Sequence, residues 1–521
     1  MAAVPPRQRL DPASLQVLIA RLTGVAEEMS AVLRRASFSP NIKERADCSC
    51  ALFTASGLLL VQAENIPVHL GSMPASVAVA IERFGSDIGA DDQVILNDPF
   101  DGGTHLNDVT LVQPCFLDGR LVGWAANRAH HADVGGSAPG SLPADATEVF
   151  QEGLRIPPVR LTDEVRALVL ANTRTPAERR GDLDAQVGAN RVGVDRLGAL
   201  VKAMGGAGLF DEVLDYGERR MRAALAEFPD GTWRFDDVVD STGSRADQQV
   251  PAAVCLEVTV SGDEIRFDFS GSSLQRAGNV NAPEAVTISS VAWALRTAAD
   301  PGIPANGGAL RPVTIVVPPG SILAARAPAA VGAGNVEVSQ RVADVCLGAL
   351  AQARPDRVGA ASQGTMNNLL IGGAGWVYYE TVAGGQGGRP GRAGMSGVHT
   401  AMTNTKNTPV EALERAFPLR VLRQRLRRGS GGAGSAQGGE GIERDLQVLT
   451  DSTVSLITER RVSQPWGLAG GAPGAVGENW LLPGGDETRA ERLPDKCTLH
   501  LKAGDVLRML TPGGGGWGAI R

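Results

Sequence analysis

Three of the chain's six histidines, His105, His130 and His131, fall within 27 residues among several aspartates. Written out, the segment is N-D-P-F-D-G-G-T-H-L-N-D (97–108), followed after a short interval by H-H-A-D (130–133). Imidazole and carboxylate together suit Zn²⁺, Mn²⁺ or Fe²⁺. His105 and Asp108 are three residues apart and can converge from one turn. Against this stands the plain reading, in which His130 and His131 end a strand and His105 caps a turn. Cys48 and Cys50 offer a soft C-x-C pair, but the chain has no C-x-x-C to complete a zinc ribbon. They read as small core residues and, with the other four cysteines, as reduced thiols.

Positioning these residues requires a hairpin. The runs from Val109 to Phe116 and from Leu121 to Ala126 flank Asp118-Gly119, a strong turn signal. With those two residues at the turn, Asn107 faces His130 and Asp108 faces Ala129. Strict alternation then sends Asp108 and His130 to opposite faces, so a bend or bulge, expected in the glycine-rich approach, must bring both to one ion. A second hairpin is expected over Asp47 to Gln62, turning at Ala55-Ser56-Gly57. Asp11-Pro12 opens a helix whose apolar residues, Leu15 to Leu33, recur at spacings of three and four, and which ends near Ser37. Further helices are expected over 74–84, 177–228 and 337–353, and strands over 254–269 with a turn at Ser261-Gly262-Asp263.

The 521 residues are enough for two to four domains. Hydrophobic residues at 43% and charged residues at 21% exclude wholesale disorder. A net charge of −7 argues against nucleic-acid coating and polybasic membrane binding. The most extended uncharged stretch, Val358 to Tyr379, holds too many polar side chains to span a bilayer. With no apolar run near Met1, a cytoplasmic location is expected. Glycine reaches 65 residues, well above the usual ~7%, and implies places where backbone approaches something closely. Gly429 to Gly441 looks like a flexible linker, or an anion-cradling loop fed by Arg425, Arg427 and Arg428. No phosphate-binding G-x-x-x-x-G-K-[S/T] and no G-x-S-x-G nucleophile motif occur. The class expected is α+β, multi-domain, with glycine-rich mixed sheets and packing helices. Composition shifts divide it into a metal-bearing N-terminal domain (1–235), a β-rich middle (236–345) and a glycine-rich C-terminal region (346–521).

Several motifs together resemble the hydantoinase B/oxoprolinase family, which is related to the acetone carboxylase large subunit. They are F-S-P-N-I-K-E-R-A-D-C-S-C-A-L-F (38–53), the 97–108 motif, A-H-H-A-D (129–133) and D-F-S-G-S (268–272). N-T-K-N-T-P-V-E-A-L-E (404–414), S-G-G-A-G (430–434) and T-P-G-G-G-G-W-G (511–518) complete the set. Where relatives carry a basic stretch after S-G-G-A-G, this chain has Ser435-Ala436-Gln437, which argues against a phosphate grip there. The resemblance implies one subunit of an ATP-dependent cyclic amidase opening a hydantoin, 5-oxoproline or lactam ring. ATP would act through a separate hydantoinase A-like ATPase in a hetero-oligomer. It also implies a divalent metal (Zn, Mn or Fe) on Asp47, His105, Asp108 and His130. His131, Asp133 and Glu44 are the candidates for moving protons or orienting groups. An ATP-dependent ketone carboxylase subunit, or a non-catalytic scaffold for the ATPase, is the alternative.

Overall fold

The computed structural model describes residues 10–63 and 65–520. Helix α1 (Pro12–Ala36) is opened by Asp11, whose Oδ1 accepts from the Ala13 and Ser14 amides, and it buries Leu15, Leu18, Leu22, Met29 and Leu33. A one-turn helix α2 (Pro40–Lys43) follows, then β1 (Cys48–Thr54) and β2 (Leu59–Gln62). Their turn holds Gly57 at φ +83°. After α3 (Met73–Phe84) come β3 (Val94–Leu96), β4 (Asp108–Leu117), β5 (Arg120–His130) and β6 (Val159–Arg160). These strands form one sheet in the order β2-β1-β5-β4-β3-β6. Helices α1 and α4 (Pro176–Ala203) pack on one face of this sheet, and α3 covers the other. Cys48 and Cys50 are wholly buried in β1, and burial pushes the Cys50 thiol up to about 12, as expected of inert core thiols.

The β4–β5 turn falls at Asp118 (φ +49°) and Gly119 (φ +76°), the positive-φ pair of a tight hairpin. The register beyond it differs from the simple expectation. Phe116 faces Leu121 but Cys115 faces Gly123, a β-bulge that leaves Val122 as the extra residue. Every pair farther from the turn is thereby shifted by one, and Asp108 faces His130 directly. The expected bulge exists, but it lies next to the turn and not in the glycine-rich approach. A one-residue shift exchanges the faces of a strand, and that exchange puts Asp108 and His130 on one side.

Helix α5 (Phe210–Leu225) leads into a second sheet, β7 (Gly231–Val239), β8 (Ala252–Ser261), β9 (Glu264–Asp268) and β10 (Val313–Val316), ordered β10-β9-β8-β7. Helix α6 (Glu284–Ala299) is followed by α7 (Ser339–Ala353). The residues before α7, Gly334–Val338, form a π-helical turn. The described C-terminal part holds two further sheets, one containing β11 (Asn368–Gly373) and β12 (Trp376–Thr381). One buried apolar cluster draws on Ile66, Val68 and Leu142 together with Val286, Leu350, Leu370 and Ile457, so residues distant in sequence share a core. Beside it lies a buried ionic network: Lys496 Nζ is 3.0 Å from Asp495 Oδ2, Arg341 Nη2 is 3.3 Å from Glu459 Oε2, and Arg460 Nη2 is 2.7 Å from Asp344 Oδ2.

The glycine stretch 429–441 is not a flexible linker. It packs backbone to backbone against 385–394 and 513–518. Gly432 N–H donates to Gly514 O (2.8 Å), Gly514 N–H to Gly439 O (2.9 Å) and Gly439 N–H to Gln386 O (2.8 Å). A Cβ at Gly438 would lie 2.0 Å from Gly514 O, and one at Gly514 would lie 2.1 Å from Gln386 O. What these glycines approach closely is other glycine-rich backbone. Among the described residues, no helix is long and apolar enough to cross a membrane.

Candidate metal centre

Three adjacent strands bring the site together. His130 N–H donates to Asp47 O (3.0 Å) beside the β1–β5 ladder, and Asp108 faces His130 across the β4–β5 ladder. Asp47, His130 and Asp108 therefore form a row at one end of the sheet. The loop before β4 turns back so that His105 Nε2 lies 3.1 Å from Asp108 Oδ1, while His130 Nδ1 lies 3.3 Å from the same oxygen. All three residues are at most 3% exposed.

Their geometry suits a metal. Ligand arms of about 2.0–2.1 Å in a tetrahedron leave ligand atoms roughly 3.3 Å apart, close to both separations. Among the described residues, neither ring nitrogen of His105 has a hydrogen-bond partner of good geometry, despite the nearness of Nε2 to Asp108, and His130 Nε2 has none either. Buried polar atoms in that condition are rare without something to bind. The ligand atoms of His105, Asp108 and His130 lie within 4.8 Å of one another and form the group of metal-ligand type among the described residues. Asp47 lies outside that trio but lines, with Asp108, His130 and His69, a cavity about 20 Å³ in volume, large enough for one water-sized sphere.

Asp108's other oxygen is held separately. Thr104 Oγ1 donates to Oδ2 (2.8 Å), Asn335 Nδ2 donates to it (3.4 Å), and His69 Nε2 lies 3.5 Å away. Burial opposes ionisation of Asp108, but His105 and His69 beside it outweigh that and hold its carboxyl well below the usual range. Burial lowers the His130 imidazole against the opposing pull of Asp108 and Asp47, which favours the neutral, ligating form. Tyr379 on β12 stacks on His130 with ring centroids 4.5 Å apart, and the Arg45 guanidinium lies over the same tyrosine at 4.9 Å. Arg45 is in turn anchored by donating to Tyr379 O (3.1 Å) and Thr381 Oγ1 (2.7 Å).

His131, Asp133 and Glu44 are not brought to this cavity. One residue past His130, His131 turns to the opposite side, where Nε2 lies 2.9 Å from Gln186 Oε1 on α4. The Asp133 carboxylate is occupied by Gly135 N–H (3.1 Å), Gly140 N–H (3.2 Å), Arg174 N–H (2.9 Å) and Arg174 Nη1 (2.9 Å). Glu44 sits half-buried at the end of α2. None of the three lines that cavity.

Sequence reasoning missed His69 and His399, for neither belongs to the 105–131 cluster. A cleft of about 480 Å³, lined by Trp293, Arg389 and His399 among others, shares Ile66 and Thr403 with the metal-type cavity. Burial pushes the His399 imidazole down to about 4, so it is neutral at pH 7. Its Nε2 lies 3.2 Å from Asn407 Oδ1 and its Nδ1 has no partner among the described residues.

The sequence model of the hydantoinase B/oxoprolinase family matches residues 11–520. The chain belongs to that family. An uncharacterised family relative from Methanocaldococcus jannaschii is 39% identical over 98% of this chain and 91% of its own length. The 5-oxoprolinase 1 of Arabidopsis thaliana is 37% identical over 98% of this chain, but this chain spans only 42% of that protein. Among solved structures, the ATP-dependent caprolactamase from Pseudomonas jessenii superposes with a TM-score of 0.90 at 29% identity, covering 98% of this chain and 92% of that one. The hydantoinase B/oxoprolinase motifs at 97–108 and 129–133 are the segments that build the His105–Asp108–His130 trio.

Proposed function

We propose that this chain is the metal-bearing subunit of an ATP-dependent cyclic amidase that opens a hydantoin, 5-oxoproline or lactam ring. The observation that carries the reading is the buried His105–Asp108–His130 trio, with separations of 3.1 and 3.3 Å, beside a cleft large enough for a small ring. Membership of a family with a 5-oxoprolinase, and likeness to an ATP-dependent caprolactamase, support the same class. The length that the Arabidopsis relative has beyond the region this chain matches leaves room for an ATPase part, which here would be a separate hydantoinase A-like subunit.

Cyclic amides are resonance-stabilised, so hydrolysis needs an activated carbonyl and an activated water. A divalent ion on this trio, when bound, supplies Lewis acidity and acidifies water. The chain's own residues do the rest. Asp108 remains ionised, burial favours the neutral form of His130, His105 adds a second imidazole, and Asp47 adds a carboxyl group at the cavity wall. Tyr379 keeps the His130 ring in place by stacking. His399 lines the cleft beside the centre, among the residues that would surround a bound ring. Phosphorylation of the amide oxygen is assigned to the ATPase partner.

Elemental analysis of the purified chain tests the centre. Near-stoichiometric Zn, Mn or Fe is expected in the parent and should be lost in both His105→Ala and Asp108→Ala. With ATP and the partner subunit, the parent should open rings without bicarbonate. Full ring-opening activity in Asp108→Ala would sink the reading, and bicarbonate-dependent consumption of a ketone would replace it with a carboxylase.

A further inference from the structure

The two oxygens of Asp108 are used differently. Oδ1 faces His105 and His130, whereas Oδ2 meets groups from three other segments: Thr104 of the preceding loop, Asn335 of the π-helical turn, and His69. His69 ends a short 3₁₀ turn, Pro67–His69, and is 1% exposed. Its imidazole is fixed from behind, with Nδ1 2.9 Å from Ser49 Oγ on β1. A carboxylate can only accept, so in the tautomer with its hydrogen on Nε2 the imidazole directs that hydrogen toward Asp108 and the serine hydroxyl donates to Nδ1. The turn itself has little freedom. Ser72 Oγ donates to Val68 O (3.1 Å), Gly71 N–H donates to Ser289 Oγ on α6 (3.0 Å), and a Cβ at Gly71 would lie 2.8 Å from the Ser289 backbone nitrogen.

We propose that His69 is a positioning residue of the metal centre: anchored on Ser49, it faces Asp108 Oδ2 and holds the carboxylate turned so that Oδ1 is presented between His105 and His130. This rests on the metal reading given above. His69 is not counted as a ligand, because it meets the oxygen directed away from the other two histidines and lies outside the trio whose ligand atoms fall within 4.8 Å. Groups that orient ligands in this way characteristically change metal affinity by about 10–100-fold when removed.

The test is Zn²⁺ and Mn²⁺ affinity of the full chain, by competition with a chromophoric chelator, for the parent, His69→Ala, His69→Gln and Ser49→Ala. Thermal melts of the same samples establish that each is folded. His69→Ala should bind about 10–100-fold more weakly yet still reach the parent's stoichiometry at saturating metal. His69→Gln, whose amide nitrogen reaches a similar position, should recover much of the loss, and Ser49→Ala should fall between Ala and parent. Affinity of His69→Ala within twofold of the parent overturns the inference while leaving the metal centre standing. So does loss of stoichiometry at saturation, which would make His69 a ligand. Should His69→Ala not fold, unchanged affinity in Ser49→Ala overturns it equally. A parent that binds neither metal removes the centre and this inference together.

Discussion

Adjacent residues at the end of β5 face opposite environments. His130 points to the cavity, where carboxylates surround it, whereas His131 points into the packing of α4 against the sheet. Burial holds the His131 pKa at about 4, with Arg179 adding to the effect, against an ordinary value near ~6.5. The unfolded chain therefore takes up this proton at a higher pH than the folded one. The stability gained by keeping His131 neutral is complete above ~6.5 and is lost as pH falls toward 4. Melting temperature against pH should fall less steeply across that window in His131→Gln than in the parent. Identical slopes would show that His131 does not contribute. Ring opening under saturating metal should be affected far less by this substitution than by Asp108→Ala.

At the scale of elements, the β4–β5 hairpin is the part whose geometry decides the site. Its positive-φ turn starts the ladder, and the bulge at Val122 then sets which face Asp108 occupies. Gly119 stands at φ +76° with nothing within 4 Å of where a Cβ would be. Gly119→Ala therefore costs only the conformational penalty, about 1 kcal/mol. We expect a small drop in melting temperature with metal content unchanged. Loss of metal in this variant would mean that the register is less firmly held than a ten-residue strand flanked by β5 and β3 implies.

The whole molecule is fastened by contacts that no single segment contains. The glycine-rich stretches 385–394, 429–441 and 513–518 meet backbone to backbone, and each needs the others to satisfy its amides. Gly514→Ala makes the same chemical change as Gly119→Ala but places a methyl group 2.1 Å from Gln386 O, where only backbone could give way. A loss of more than about 3 kcal/mol is expected, in the range of severe overpacking, read as a large fall in melting temperature or failure to accumulate as folded protein. Tolerance of Gly514→Ala comparable to Gly119→Ala would contradict the close packing. The contrast between the two variants separates backbone strain from crowding.

Local signals in the sequence were enough for the elements with a strong period or a turn residue: α1 behind Asp11, the Asp118-Gly119 hairpin, the Gly57 and Gly262 turns, and α7. They were also enough to gather His105, Asp108 and His130 as one candidate group, because those residues lie on one hairpin and the loop leading into it. Asp47 came only from family resemblance, since its place beside His130 depends on β1 pairing with β5 across more than seventy residues. His69 was illegible for the same reason: its partners are Ser49 and Asp108, its turn is docked through Gly71 on Ser289, and no spacing rule links them. The bulge at Val122 carries no marker in the sequence, yet it decides the face on which Asp108 lies. Composition likewise announced the glycines but not their partners, and a glycine-rich run with nothing against it does resemble a linker. Sequence by itself determined the local elements and the types of the candidate ligand side chains, because propensity, turn chemistry and donor chemistry act within a few residues. The tertiary structure alone decided which oxygen of Asp108 faces which histidine, because strand register and the docking of distant turns are settled by long-range packing.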